Sequence, residues 1–345
     1  MNLLCDPPYN QMFYFVNAGY IFGYIMYGIF ADIYGRKKAL LATLPLSVTG
    51  SILVALTSNY WIMYASTFFM SVGTKGASNV GITLFLELVH YKIRMFAIVL
   101  IRFGFCMGTY IKALAHFEPH FTTKFFQWVI VVVLLLPVST FWLLPESPHW
   151  LLCRKDWKSM VKVLNDLNHP NIITDIPEKT PVAPTPLKQI FKILFKPAFR
   201  KKLFLGAFLF SITFFIYYKE TMRILEAFDS EFNFSIVRGT CLVVNLALVP
   251  IFLKRISRPM CICWCLLILA LFYCAATIYS SYTIFQSIAT CICLIMAQNA
   301  TLVNHLLILE TFPTRVRASA AGICRALGII TVSLTTTVVN VADLN

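Results

Sequence analysis

The chain has 345 residues, 59% of them hydrophobic, and a mean hydropathy of +0.75. That much apolar surface excludes a soluble globular domain and indicates a polytopic, all-α membrane protein. The net charge of +14 would suit nucleic acid, but the cations cluster in every second loop, as membrane topology requires, so no nucleic-acid partner is expected.

Ten apolar runs follow one another, at about 12–31, 39–57, 60–83, 94–115, 125–144, 202–218, 233–253, 260–279, 283–309 and 318–340. Each can cross ~30 Å of hydrocarbon as a helix, the open-ended structure that satisfies its own backbone in lipid. The first two runs are joined by Gly28-Ile-Phe-Ala-Asp32-Ile-Tyr-Gly35-Arg36-Lys37-Lys38. A turn this short predicts two antiparallel helices side by side. Gly28 allows close backbone approach and Gly35 permits the turn. Three consecutive cations stay out of lipid and mark the cytosolic side. Asp32, at its helix end, can pair with them or face the positive N-terminal end of a neighbouring helix.

The loops assigned inside carry Arg36-Lys37-Lys38, Lys92 and Arg94, the Arg154–Lys202 segment, Lys254, Arg255 and Arg258, then Arg315 and Arg317. The alternate loops hold few cations, such as Lys124, Lys219 and Arg223, and both Met1 and Asn345 are then expected outside. Most of the 11 cysteines fall inside apolar runs and read as small hydrophobes, not a disulfide framework.

Residues 153–200 form the long polar segment between five spans and five. This predicts a helical half at 1–152, a cytosolic loop at 153–200 and a second helical half at 201–345. Within the loop, Lys158–Leu167 reads as a short amphipathic helix. Pro177, Pro181, Pro184 and Pro186 read as an extended linker. Gln189–Lys196 reads as a basic amphipathic helix lying on the inner leaflet. The halves repeat. Glu87 and Arg94 recur as Glu310 and Arg317, both displaced by 223 (310 − 87; 317 − 94), and a worn copy of the first loop lies at Lys254–Arg258, with Ser257 displaced by 222 from Gly35 (257 − 35). Features at nearly one offset indicate a duplicated helical unit.

The Gly28–Lys38 loop resembles the signature loop of the major facilitator superfamily, with Ile33 where that family usually has a cation. Pro145-Glu146-Ser147-Pro148-His149-Trp150-Leu151-Leu152 resembles a motif of sugar porters and of the organic cation/anion/zwitterion transporters (solute carrier family 22), with His149 in place of Arg. Asn2–Asp6, Tyr217-Tyr218 and Glu310–Arg317 resemble stretches of the organic-ion branch, with Lys219 where its Gly is expected. Sugar porters carry a Gln-rich patch in the seventh family helix, and residues 202–218 contain no Gln. The resemblance implies a two-bundle carrier of twelve helices, of which the first and last are missing here; truncation is the favoured explanation. It further implies a plasma-membrane carrier that works as a monomer in the lipid bilayer on a small organic ion.

In that family, charges at the cytosolic helix ends latch the halves together in one state and separate in the other. The resemblance therefore implies a gating network of Gly28, Asp32, Gly35, Arg36, Glu87, Arg94, Glu146 and Arg154 in the first half, and Arg258, Glu310 and Arg317 in the second. Polar groups at membrane depth are costly and so are candidate substrate ligands: Asn17, Lys75, Asn79, Arg102, Asn245, Asn299 and Arg325. For a single Asn, helix–helix hydrogen bonding competes with that role. Tyr217 and Tyr218 match family substrate-contacting aromatics, with interfacial belt tyrosines as the alternative. Leu302 and Ile329 stand where cation carriers have acids, and Arg325 lies one turn before the Arg of anion carriers, which leans the reading toward organic anions. Thr67 replaces the fourth family helix's usual Arg. No nucleotide-binding loop, metal-ligand spacing or nucleophile–base arrangement is present in the sequence, so neither cofactor nor metal nor enzymatic activity is expected. A sugar-porter-like carrier and a non-transporting protein of carrier fold are the rival readings.

Overall fold

A computed structural model describes residues 7–90, 93–117, 128–135, 144–166, 186–227, 230–279 and 282–342. Every regular element among them is a helix: α1 (Pro7–Tyr34), α2 (Arg36–Leu56), α3 (Tyr60–Leu88), α4 (Arg94–Phe117), α5 (Pro148–Cys153), α6 (Trp157–Asp166), α7 (Leu187–Leu194), α8 (Pro197–Ala227), α9 (Glu231–Arg255), α10 (Arg258–Ile278), α11 (Thr283–Thr311) and α12 (Arg317–Ala342). Residues 128–135 are also helical.

Seven helical stretches among the described residues are long and apolar enough to cross a membrane. They are Gln11–Tyr34, Arg36–Leu56, Ala97–Leu114, Phe232–Ile251, Arg258–Ile278, Ile284–Thr311 and Arg317–Thr337. The expected count of ten is thus approximate. The third and sixth predicted spans lie in α3 and α8, helices of 29 and 31 residues that are diluted by charged side chains such as Lys75, Glu87, Lys219, Glu220 and Arg223. The fifth predicted span, 125–144, falls largely outside the described residues, as do the linker prolines Pro177, Pro181 and Pro184. The two amphipathic helices of the loop are present as α6 and α7.

Helix boundaries repeat along the chain. From α2 to α10 both ends move by 222 (258 − 36; 278 − 56). From α3 to α11 both ends move by 223 (283 − 60; 311 − 88), as do the starts of α4 and α12 (317 − 94). The duplication inferred from scattered charges is therefore a duplication of whole helices.

Contacts divide the chain into two compact units defined by packing. One takes residues 1–90, 127–204 and 308–326. In it α1 and α2 pack on α3, around a core of Tyr27, Ala31, Ala39, Val72, Val80 and Ala318, and the Tyr27 hydroxyl donates to the Ala42 carbonyl at 2.9 Å. The other takes 91–126, 205–307 and 327–345. There α4 lies along α9, and α11 is buried over most of its length. Side-chain amides fasten this unit: Asn245 Nδ2 donates to the Ile295 carbonyl and Asn304 Nδ2 to the Gly206 carbonyl, each at 3.1 Å. In lipid, where apolar burial between helices brings little, such hydrogen bonds and close packing hold helices together.

Candidate functional site

The candidate site lies in the first unit, at the helix ends that the loop charges assign to the cytosol. Gly35 opens it. The residue adopts φ +113°, a left-handed value open to Gly at little cost, and so turns the chain between α1 and α2. A Cβ there would come within 2.4 Å of Glu146 Oε2. That carboxylate caps the start of α2 from outside the helix: Glu146 Oε1 accepts the N–H of Arg36 at 2.8 Å and of Lys37 at 3.1 Å.

Arg36 follows and is fully buried. Its Nε donates to Glu87 Oε2 at 3.0 Å, its Nη1 to the Ala31 carbonyl at 3.3 Å, and its Nη2 to the Thr314 carbonyl. The same Nη2 is 3.2 Å from Asp32 Oδ1, four residues back across the Gly35 turn. Glu87, at the C-terminal end of α3, also accepts from Arg317 Nη1 at 2.8 Å and from the Ser147 hydroxyl. Asp32 accepts the Ser319 N–H at 2.8 Å, the Ser319 hydroxyl at 2.6 Å and the Ala318 N–H at 3.4 Å. It therefore fulfils both roles open to it from sequence, pairing with a cation and facing a helix N-terminus, here that of α12.

Three carboxylates (Asp32, Glu87 and Glu146) thus meet two guanidinium groups (Arg36 and Arg317). The excess negative charge faces the N-termini of α2 and α12, each equivalent to about half a positive charge. Around them, Ser147 caps α5 by accepting the Trp150 N–H at 3.2 Å, Trp150 Nε1 donates to the Asp32 carbonyl at 3.1 Å, and the Arg154 guanidinium stacks on the Trp150 ring at 4.8 Å.

Gly28 brings α1 against α12: a Cβ on it would stand 2.6 Å from the Ala318 carbonyl oxygen. The cluster therefore joins Asp32, Arg36, Glu87, Glu146 and Arg317 directly, with Gly28, Gly35 and Arg154 supporting it. Glu310 is exposed, and Arg317 bonds Glu87 of the first repeat. Arg94 and Arg258 belong to the other unit, and both are half-buried. Sequence reading did not single out Ser147, Ser319 or the Thr314 carbonyl. A hydroxyl in a Ser-Pro cap, a hydroxyl in a small-residue run and a backbone oxygen leave no charge signal.

The candidate substrate ligands divide between the units. In the first, Asn17 and Asn79 are buried; Asn79 Nδ2 donates to the Ala318 carbonyl at 3.1 Å, the helix-fastening role. Lys75 Nζ lies 4.3 Å above the Tyr20 ring. Arg325 stacks on Tyr24 at 5.3 Å, while its Nε and Nη1 are buried without a hydrogen-bond partner in the protein. In the second unit, Arg102 Nη2 donates to the Gln298 carbonyl at 3.4 Å, Asn245 ties α9 to α11, and both amide atoms of the fully buried Asn299 find no partner. Tyr218 is half-buried. The Tyr217 hydroxyl accepts from Arg238 Nη2 at 2.6 Å, and the Arg238 guanidinium sits 5.8 Å from the same ring. Arg238 escaped the sequence reading although it lies inside a predicted span.

The family model described as Major Facilitator Superfamily matches residues 10–334. Solute carrier family 22 member 1 of Bos taurus is 29% identical over 173 residues, 49% of this chain and 30% of that protein. Organic cation transporter protein of Drosophila melanogaster is 24% identical over 261 residues, 71% of this chain and 47% of its own length. The chain thus spans less than half the length of either relative. Among solved structures, the proton:xylose symporter XylE with 6-bromo-6-deoxy-D-glucose superposes with a TM-score of 0.68 over 98% of this chain and 80% of its own, at 15% identity.

Proposed function

The chain belongs to the major facilitator superfamily, and from that membership we propose that it carries small organic ions across the bilayer by alternating access, with the cytosolic charge cluster as the latch of one state. It is a multi-pass membrane protein, and its family and relatives favour a transporter over an enzyme. The observation that carries the latch is the position of Glu87. One carboxylate from the first repeat holds Arg36 of that repeat and, across 230 residues of sequence, Arg317 of the second. A buried ion cluster contributes little to a static fold beyond what apolar packing would, because desolvation offsets attraction. It is well suited to a two-state element, made dry in one state and hydrated in the other. The proposal includes the division into halves at 1–152 and 201–345 around the 153–200 loop, residence in the plasma membrane, and a monomeric working unit.

For the substrate, the unpartnered buried nitrogens of Arg325 favour an organic anion, whereas the name of the fruit-fly relative points to cations. The XylE likeness, at 15% identity, concerns the fold alone.

Uptake of radiolabelled organic anions and cations into proteoliposomes holding the purified chain tests the proposal. Saturable uptake of at least one class is expected. A chain that is folded in the membrane and takes up neither would favour a non-transporting protein of carrier fold. If the substrate is an anion, Arg325→Gln removes a charge-assisted hydrogen bond and should raise its KM roughly 10- to 100-fold. Unchanged anion uptake would remove Arg325 from the site.

A further inference from the structure

Helix α7 has no part in the latch, yet it is the strongest amphipathic element of the polar loop. Its first face is settled: Ile190 and Leu194 are fully buried, and the helix rests on α1 within the first unit. A second apolar face is not covered. Leu187, Phe191 and Phe195 recur at four-residue spacing and so share one side, with 49%, 37% and 57% of their surface exposed. The Phe191 and Phe195 rings stack at 6.4 Å and extend the stripe past the helix end. Beside it, Lys188, Lys192 and Lys196 recur at the same spacing, all exposed. Arg200, Lys201 and Lys202 follow, and no acid occurs between Glu178 and Glu220.

The level of this helix is set by its neighbour. Pro197 starts α8, and the apolar run of α8 begins at 202, about 8 Å further along at 1.5 Å per residue. α7 ends three residues before α8 begins, which keeps its stripe next to the polar end of that apolar run. Cations that only mark the cytosolic side need no particular face, and Arg200–Lys202 already serve that purpose. A basic stripe laid alongside an exposed apolar one, on a helix already anchored by a third face, is the pattern of a surface that binds an interface.

We propose that α7 is a docking surface for the anionic phospholipids of the bilayer in which the chain sits, with Lys188, Lys192 and Lys196 holding headgroup phosphates and carboxylates and Leu187, Phe191 and Phe195 entering the acyl boundary. Charge complementarity selects the occupant. Six cations in a stretch that holds no acid between Glu178 and Glu220 repel basic partners, and a neutral lipid would leave the lysine stripe without counter-charge.

The test uses the purified full chain in neutral detergent, with lipid retention counted by native mass spectrometry. Dioleoyl phosphatidylserine should be retained in preference to dioleoyl phosphatidylcholine, and K188Q/K192Q/K196Q should lower retained phosphatidylserine at least tenfold, on the order of the attraction of three lysines to an anionic surface. Lys→Arg at the same three positions should keep it. Retention by the unaltered chain should also fall as NaCl is raised from about 50 to 500 mM, because ionic screening shortens the reach of these charges; this arm decides the matter should the Gln variant fail to fold. Equal retention of both lipids, or retention insensitive to both the three Lys→Gln changes and salt, would overturn the proposal. So would a loss seen only with R200Q/K201Q/K202Q, or binding of the free headgroup glycerophosphoserine as tight as that of the lipid.

Discussion

Glu87→Ala is expected to be the most damaging single side-chain truncation in the cluster. It leaves Arg36, with no exposed side-chain surface, and Arg317 without the carboxylate they share. Removing one partner of a buried pair strands the other charge and costs roughly 3–5 kcal/mol. If the cluster stabilises one state of a carrier, that cost falls on this state, and its population relative to the other drops roughly 150- to 5,000-fold. Uptake into proteoliposomes should fall by a comparable order, because each cycle must pass through the latched state. Glu87→Gln keeps a neutral acceptor for the Ser147 hydroxyl and should lose less. A cycle of Glu87→Gln with Arg317→Gln should show coupling of about 1–3 kcal/mol in thermal unfolding, as contacting charges do. Thermal stability and uptake of Glu87→Ala equal to the parent would reduce the cluster to solvated loop charges.

Gly322→Leu is expected to have an effect of similar size by a different route. A Cβ on Gly322 would lie 2.2 Å from the Tyr24 carbonyl oxygen, and on Gly28 it would lie 2.6 Å from the Ala318 carbonyl oxygen. Both contacts are with backbone, so neither can be relieved by turning a side chain. The two glycines let α1 and α12 touch, as small residues do between helices in lipid. Where they touch, Asp32 meets the Ser319 N–H and Asn79 meets the Ala318 carbonyl. Pushing α12 away therefore breaks several hydrogen bonds at once, each worth about 1–3 kcal/mol when a buried polar group is left without a partner. The amount of folded Gly322→Leu protein recovered from membranes, and its thermal stability, should be strongly reduced. Gly322→Ala, with a single added methyl, should lie between. Normal expression and thermal stability of the Leu variant would contradict the close packing described here.

Arg36 and Glu87 were legible in the sequence because charges at helix ends are rare in so apolar a chain and because one of them recurs at a fixed offset. The resemblance put both in one network with residues of the same half; that Glu87 also holds Arg317, from the second repeat, is a contact that spacing along the chain does not carry. Span lengths failed where charges are satisfied. Hydropathy ends the sixth span at 218, yet α8 continues to Ala227. There, buried Glu220 pairs with Arg223 at 3.3 Å, and Arg223 stacks on Tyr273 at 5.0 Å, so the helix can carry these groups past the apolar stretch. The asparagines show the same limit in another form. Asn79, Asn245 and Asn304 all donate to the backbone carbonyls of other helices, a role that composition cannot separate from ligand binding.

Amide hydrogen exchange at Ala318 and Ser319, measured in the reconstituted chain for the parent and for Glu87→Gln, tests most directly whether the charge cluster acts as a latch. Those amides donate to Asp32, and Glu87 reaches the same helix end through Arg317 and, via Arg36, Asp32. A releasable latch predicts slow exchange in the parent and exchange at least tenfold faster in the variant, without comparable change in the middle of α3. Equal protection of the two amides in both proteins would contradict it.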